Sequence, residues 1–376
     1  MKILIPVFEI QDYGGITGHT ELLMRGLKEA GHTVDLVILR NSDRPTYIKK
    51  PEGPRNSYRS ECGGMVHLLS GWYGVKVIAY GSDQKAREFA NWYAQQYDYI
   101  IWDLPCPYNN QGSWQLLYES GVPQVAVIHD AHYQRAYRHL DDVADKLKFI
   151  APVNESALGA VQPFPGDKRL INNGHEILPE SKRIYITRNK IAVCAHVWKA
   201  WKNMHRVVEA APYCIQTHIV MGGDGIEGRY MRSKEKCKPK YKGMWDAFNA
   251  SEHEYEGVMI PEELFKHYER SRVMIDLSWN ERFASYGCHY NRSIVEGANH
   301  GCIPLVNKEF FAGSKIFPED TYIGVPKDCG PKELARWINL ACSLSQEEAD
   351  SILYKLWVIL KNHFDYQQTS LQYLDA

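Results

Sequence analysis

No apolar run in this 376-residue chain approaches the roughly 18 to 20 residues that span a bilayer, so no membrane helix is expected. Nine cysteines are scattered without a Cys-x-x-Cys pair or a His/Cys cluster at zinc spacing. Neither a disulfide framework nor a structural metal is indicated, and the expected compartment is a reducing cytoplasm. A large net charge is missing as well. The formal value is −1, which provides no global field to attract a polyanion. Internal repeats and low-complexity tracts are absent. What is present, 44% apolar and 24% charged residues, is the composition of an ordinary globular protein. The length exceeds one ordinary core and predicts two domains.

Short apolar runs alternate with helical patterns through both halves. In the first half the predicted strands are 2–8, 33–39, 99–103, 124–129 and 148–153. The start, Met1 to Phe8, reads as a strand and not as a signal peptide. Between the first two strands, Leu22, Leu23, Met24 and Leu27 share a helical face that stops at Gly31, a good residue for a helix end. The second half predicts strands at 191–195, 217–221, 255–260, 273–278, 303–306 and 322–325, and an amphipathic helix over 346–364. Strands separated by helices imply parallel βαβ units and doubly wound sheets. Residues 40–75 break the alternation and read as a long loop. The polar stretch from Asn172-Asn173-Gly174 to Lys190 sets the expected boundary near residue 180. The expected domains are 1–180 and 181–376, with the last helix able to pack back on the first domain.

The motifs cluster where such sheets bind ligands, at the carboxyl ends of the strands. Gly14 and Gly15 follow the first strand, so the backbone there can approach a ligand at a helix N-terminus. In the second half, His196, Lys199 and Lys202 follow the strand that begins at Ile191. A fixed cation at that place would stabilise a departing diphosphate. Gly222 and Gly223 end the next strand, and Glu281 follows the fourth. Arg292 and Glu296 sit on a helix closed by Gly301 and Pro304, where a carboxylate can bind ribose hydroxyls. Glu281 has two open roles, sugar binding or capping of the helix that follows. His129 and Asp130 end a buried strand, a position suited to an acceptor hydroxyl. No Asp-x-Asp motif occurs, which argues against a metal bridging a diphosphate, so no cofactor and no metal ligand set is expected.

One local charge pattern stands out. Between Arg229 and Lys242 lie seven basic residues, Arg229, Arg232, Lys234, Lys236, Lys238, Lys240 and Lys242, with Tyr230 and Tyr241 interleaved. Basic residues with aromatics suit a phosphate backbone and unstacked bases. A solvated loop is the bland alternative.

Taken together, these residues resemble the retaining GT-B glycosyltransferases of family four over nearly the whole chain. Gly14-Gly15-Ile16 is similar to the family's N-terminal glycine loop, and Asn173-Gly174 to the Asn-Gly before its linker. Trp201-Lys202 resembles the lysine region, and Glu296 with Gly301-Cys302-Ile303-Pro304 resembles the closing Glu and Gly-x-Pro motif. In the family a first Glu lies eight residues before the second. Here Cys288 holds that position, and Glu281 stands fifteen residues before Glu296, as if 284–290 were inserted. His129-Asp130, Trp201-Lys202 and Met221-Gly222 followed by the basic run are also similar to the phage DNA α-glucosyltransferases. Those enzymes carry glucose from UDP-glucose to hydroxymethylcytosine in duplex DNA, and have an Arg near the place of His196.

The resemblance implies two Rossmann-like domains facing across a cleft. A UDP-sugar would lie on the second, held by Lys202 with His196 or Lys199, and by Glu296. The acceptor would lie near His129 and Asp130. The implied partners are the nucleotide sugar and duplex DNA, with no membrane, and the expected state is a monomer. Two alternatives stay open: a polysaccharide, lipid or small-molecule acceptor, and a non-enzymatic DNA- or nucleotide-binding protein on the same scaffold.

Overall fold

Two parallel sheets organise the chain, and their central strands are apolar enough to be buried on both faces. A computed structural model describes residues 1–7, 15–38, 57–59, 65–67, 77–79, 94–103, 105, 118–132, 137–180, 185, 188–196, 200–223, 248, 250–257, 259 and 261–375. The first half contains β1 (Lys2–Val7), β2 (Thr33–Ile38), β3 (Ser57–Arg59), β4 (Met65–His67), β5 (Val77–Ala79), β6 (Tyr99–Asp103), β7 (Gln124–Ile128) and β8 (Phe149–Pro152). Six of these form one sheet in the order β5-β2-β1-β6-β7-β8, all parallel. The second half contains β9 (Asn189–Ala195), β10 (His218–Gly222), β11 (Glu254–Gly257), β12 (Ser271–Asp276), β13 (Ile303–Asn307) and β14 (Ile323–Val325). They form a second parallel sheet, β11-β10-β9-β12-β13-β14.

Both orders reverse beside the first strand, between β1 and β6 and between β9 and β12. That reversal opens a crevice at the carboxyl ends of the strands, the place where doubly wound sheets take ligands. The edge strand β11 carries Glu254 and Glu256 and is only half-buried, as expected of a strand with one open side.

By its internal contacts the chain divides into two compact units, 1–176 with 365–376, and 177–364. In the first unit the helix Gly15–Glu29 packs on the C-terminal helix Tyr366–Gln372. Two glycines allow this closeness. A Cβ at Gly26 would lie 2.8 Å from the Tyr366 carbonyl oxygen, and one at Gly174 would lie 2.8 Å from Tyr366 Cα. The Tyr366 amide donates to the His175 carbonyl at 3.0 Å, and the Tyr99 hydroxyl donates to the Tyr373 carbonyl at 3.0 Å. In the second unit the helix Gln346–His363 starts at a capping box made by Ser345 and Glu348, and buries Leu353, Leu356 and Leu360.

The stretch 40–75, expected as loop, contains an antiparallel hairpin in which Ser57 to Arg59 pairs with Met65 to His67. Strand β5 beyond it was also not expected. Three residues each are too short to reveal a period of two. Among the described residues no helix is long and apolar enough to cross a membrane.

Candidate functional site

In the second unit, chemistry gathers where β9 and β12 end. Asp276 closes β12 and is almost wholly buried. Its Oδ1 accepts the Ser278 amide at 3.0 Å and the Ser278 hydroxyl. Its Oδ2 accepts Asn291 Nδ2 at 2.6 Å and Ser293 Oγ at 3.3 Å. Burial would raise this carboxyl, but His196, Lys202 and the Ser278 hydrogen bonds outweigh it and hold it below the usual carboxylate range. Asn291 occupies the N-cap position of the helix Arg292–Asn299, yet its side chain serves Asp276 and makes no cap bond. The first N–H groups of that helix are therefore left without this partner.

His196 follows β9 and is buried. Its Nε2 lies 3.1 Å from the Ile275 carbonyl and 3.8 Å from Asp276 Oδ2, so the hydrogen bond goes to the carbonyl. Burial lowers its pKa and prevails over the attraction of Asp276. The imidazole is thus neutral at pH 7 and offers a hydrogen bond, not a charge. Lys202 ends the turn Ala200–Lys202, just before the helix Met204–Ala210 and not inside it. Asn203, between them, adopts the left-handed conformation with φ 53°, and its Nδ2 donates to the Leu277 carbonyl at 3.0 Å. The Lys202 ammonium stands 4.1 Å over the Trp201 ring. The Trp279 amide donates to the Trp201 carbonyl at 2.7 Å, tying this turn to the loop after β12.

Glu296 is half-buried one helical turn after Arg292, whose Nε donates to its Oε1 at 2.6 Å. Glu281 is the exposed first residue of the short helix Glu281–Ala284, and the Asn280 side chain supplies the cap by accepting the Phe283 amide at 3.3 Å. Cys288 is buried, so no carboxylate stands at its place. The segment around it is fixed by rings. Phe283 stacks on His289 at 5.1 Å, His289 stacks on Phe310 at 5.0 Å, and Trp201 meets both Phe283 and His289 edge-on.

Gly222 and Gly223 end β10. A Cβ on Gly222 would meet the Met259 methyl at 2.1 Å, and Gly223 has φ 125° with its amide donating to the Gly257 carbonyl at 2.6 Å. Turn geometry and close packing give these glycines a structural role in addition to any role with a ligand. Gly14, Lys199 and the six basic residues Arg229, Arg232, Lys234, Lys236, Lys238 and Lys240 lie outside the described residues, and Gly15 opens the first helix.

The first unit holds a second cluster, where β6 and β7 end. Asp103 is wholly buried; its Oδ1 lies 2.5 Å from His129 Nε2 and 3.1 Å from His19 Nδ1, and its Oδ2 accepts the Thr20 hydroxyl. Burial opposes the charge, but the two imidazoles outweigh it and hold Asp103 well below the usual carboxylate range. Asp130 does not join this cluster. Its Oδ1 accepts the His132 amide at 2.8 Å and shapes the turn after β7. The donor atoms of His19, Asp103 and His129 lie within 4.8 Å of one another, a set that could hold a cation. The 2.5 Å between Oδ1 and Nε2 is a hydrogen-bond distance. Two ligands at about 2.1 Å from one ion stand about 3 Å or more apart, so the trio as built is hydrogen-bonded.

The motifs did not single out Asp103, His19, Asp276, Asn291 or Ser293. The available signal was an aspartate directly after Ile100-Ile101-Trp102 and another after Val273-Met274-Ile275. An acid that closes a buried strand beside the first strand sits at the crevice.

No family model matches the sequence, and no curated protein matches it. Solved structures match over the whole chain. HepE of Anabaena, in complex with UDP and glucose, superposes with a TM-score of 0.68 at 15% identity, covering 99% of this chain and 98% of that one. An α-glucosyltransferase in complex with UDP and a 13-mer DNA containing an HMU base gives 0.65 at 14%, covering 100% and 98%. Sucrose-phosphate synthase of Thermosynechococcus elongatus gives 0.63 at 14%, covering 99% and 97%. At this identity the likeness is one of fold. The chain has the GT-B fold of such glycosyltransferases, with two Rossmann-like parallel-sheet units.

Proposed function

We propose that this protein is a retaining glycosyltransferase that draws its sugar from a UDP-sugar and passes it to a hydroxyl on a modified pyrimidine of DNA. The observation that carries the donor half is the cluster where β9 and β12 end. There Lys202 provides a cation, His196 a neutral hydrogen-bonding imidazole and Glu296 a carboxylate braced by Arg292. In this reading Lys202 stabilises the diphosphate as it leaves, helped by the uncapped N-terminus of the Arg292–Asn299 helix. Glu296 holds the ribose. Gly14, Gly15 and Lys199 are further donor-binding candidates from the sequence, and no metal is required.

The acceptor oxygen forms its bond to the anomeric carbon on the face from which the diphosphate departs. The bond from that carbon to the diphosphate oxygen breaks, and the departing oxygen takes the hydroxyl proton. UDP and the glycosylated acceptor are the products. His129, with Asp130 shaping its loop, orients the hydroxyl. The DNA acceptor draws support from the basic run at 229–242 and from the likeness to a transferase bound to UDP and DNA. A base in duplex DNA would have to leave the stack to reach the site.

The likeness to sucrose-phosphate synthase supports a second reading, in which the acceptor is not DNA. The test is incubation with a panel of UDP-sugars and either hydroxymethylated or plain DNA, read by nucleoside mass spectrometry. A sugar-bearing nucleoside from the hydroxymethylated DNA is expected. UDP release with a saccharide acceptor and none with DNA would favour the second reading. No turnover with any acceptor would leave a nucleotide-binding protein on a transferase fold.

A further inference from the structure

Four side chains in the first unit run in series from the C-terminal segment to His129. Tyr373 is buried at the end of the last helix, and its hydroxyl lies 3.2 Å from His19 Nε2. His19 Nδ1 lies 3.1 Å from Asp103 Oδ1, and His129 Nε2 lies 2.5 Å from the same oxygen. An ionised carboxylate only accepts. Each imidazole must therefore carry a proton on the nitrogen that faces Asp103, Nδ1 in His19 and Nε2 in His129. In a neutral ring the other nitrogen is then a lone pair. The lone pair of His19 accepts a hydrogen bond from the Tyr373 hydroxyl. That of His129 is Nδ1, which bonds to no partner among the described residues.

We propose that Asp103, His19 and Tyr373 are positioning residues that lock His129 in its Nε2–H form, so that Nδ1 accepts a hydrogen bond from a substrate hydroxyl. The series explains three observations together. A carboxylate is buried completely with two imidazoles on one oxygen. The last helix is seated so closely that Gly26 and Gly174 have no room for a Cβ. The Tyr373 phenol, raised well above 10 by burial, stays a donor throughout the working range. The right tautomer matters because the wrong one would present an N–H where an acceptor is needed. Asp-to-Asn replacements that permit this error cost a serine protease about 10⁴-fold in kcat. The identity of the hydroxyl rests on the transferase reading, whereas the tautomer does not.

The test is long-range ¹H–¹⁵N spectroscopy of the full chain labelled at histidine, with His129 assigned from a His129→Gln spectrum. At pH 7.5 the expected result is a protonated Nε2 and an unprotonated Nδ1 on His129. A proton on Nδ1, or a doubly protonated ring, would overturn the proposal. In turnover, Asp103→Asn is expected to lower kcat about a hundredfold or more while the donor KM changes less than about threefold. His19→Ala is expected to lower kcat about tenfold. His19→Asn, which keeps a donor near the place of Nδ1, is expected to recover most of that loss. Tyr373→Phe lowers kcat about threefold. An Asp103→Asn enzyme that folds and keeps its kcat would refute the series, as would activity lost to a chelator and restored by zinc. The nitrogen signals need no turnover. An inactive protein with the expected tautomer would therefore fault the transferase reading and spare the series.

Discussion

Asp103 ends β6 in the first unit as Asp276 ends β12 in the second, and each of those strands lies beside the first strand of its sheet. Both carboxylates are buried, both face a histidine, and both stay ionised against the cost of burial. Their partners differ. Asp103 receives two imidazoles and a threonine, so it dictates where protons sit on His19 and His129. Asp276 receives a backbone amide, two serine hydroxyls and an asparagine, while His196 bonds past it to a carbonyl. It holds together the loops that enter the helix Arg292–Asn299 and dictates no tautomer. A shared topology sets where an acid can be buried; the neighbours set what the acid does.

The largest expected effect separates the two regions. Lys202→Ala should lower kcat by about 10²- to 10³-fold, roughly 3–4 kcal/mol of barrier, with an unchanged urea midpoint. Next comes stability. Asp276→Ala leaves several buried donors without an acceptor and should cost about 3 kcal/mol in urea titration. Asp276→Asn should lower kcat far less than Asp103→Asn does, and equal losses would erase the distinction drawn above. Glu296→Ala should raise the donor KM about tenfold, the loss of one or two ribose hydrogen bonds, and leave the urea midpoint within error.

Acid sharpens the contrast further. The folded pKa of His196 lies below its ordinary 6.5, so the unfolded chain binds its proton first. Its contribution to stability is complete above pH 6.5 and is lost as pH falls toward the folded value. The two aspartates are lowered from 3.8, and theirs is lost only below about that pH. Urea midpoints should thus decline from pH 7 to pH 5, and His196→Gln should flatten part of that decline. The smallest effect is steric. A Cβ at Gly297 would lie 2.6 Å from Met274 Cγ, so Gly297→Ala should cost about 1–3 kcal/mol and affect turnover little.

Much of the fold was legible because buried parallel strands are short apolar runs between turn residues. Ile100-Ile101-Trp102 and Val273-Met274-Ile275 declare themselves without any structure. Val77-Ile78-Ala79 does not, since three residues carry no period, and neither do the short strands at Ser57 and Met65. His129 and Lys202 were legible from their places after strands. Asp103 was not, because its meaning lies in His19, 84 residues away in sequence, and in Tyr373 beyond it. His19 alone looks like any polar residue on a helix. Gly222 and Gly223 drew notice as ligand-binding glycines, and the turn after β10 gives them a structural role as well.

The proposed role of the crevice where β9 and β12 end is to hold the diphosphate of a nucleotide sugar. Calorimetric titration of UDP into the wild-type chain, Lys202→Ala and Asp103→Asn tests it most directly. Binding by the wild type, at least tenfold weaker binding by Lys202→Ala, and wild-type affinity in Asp103→Asn are expected. Equal affinity in Lys202→Ala, or no binding by any of the three, would contradict it.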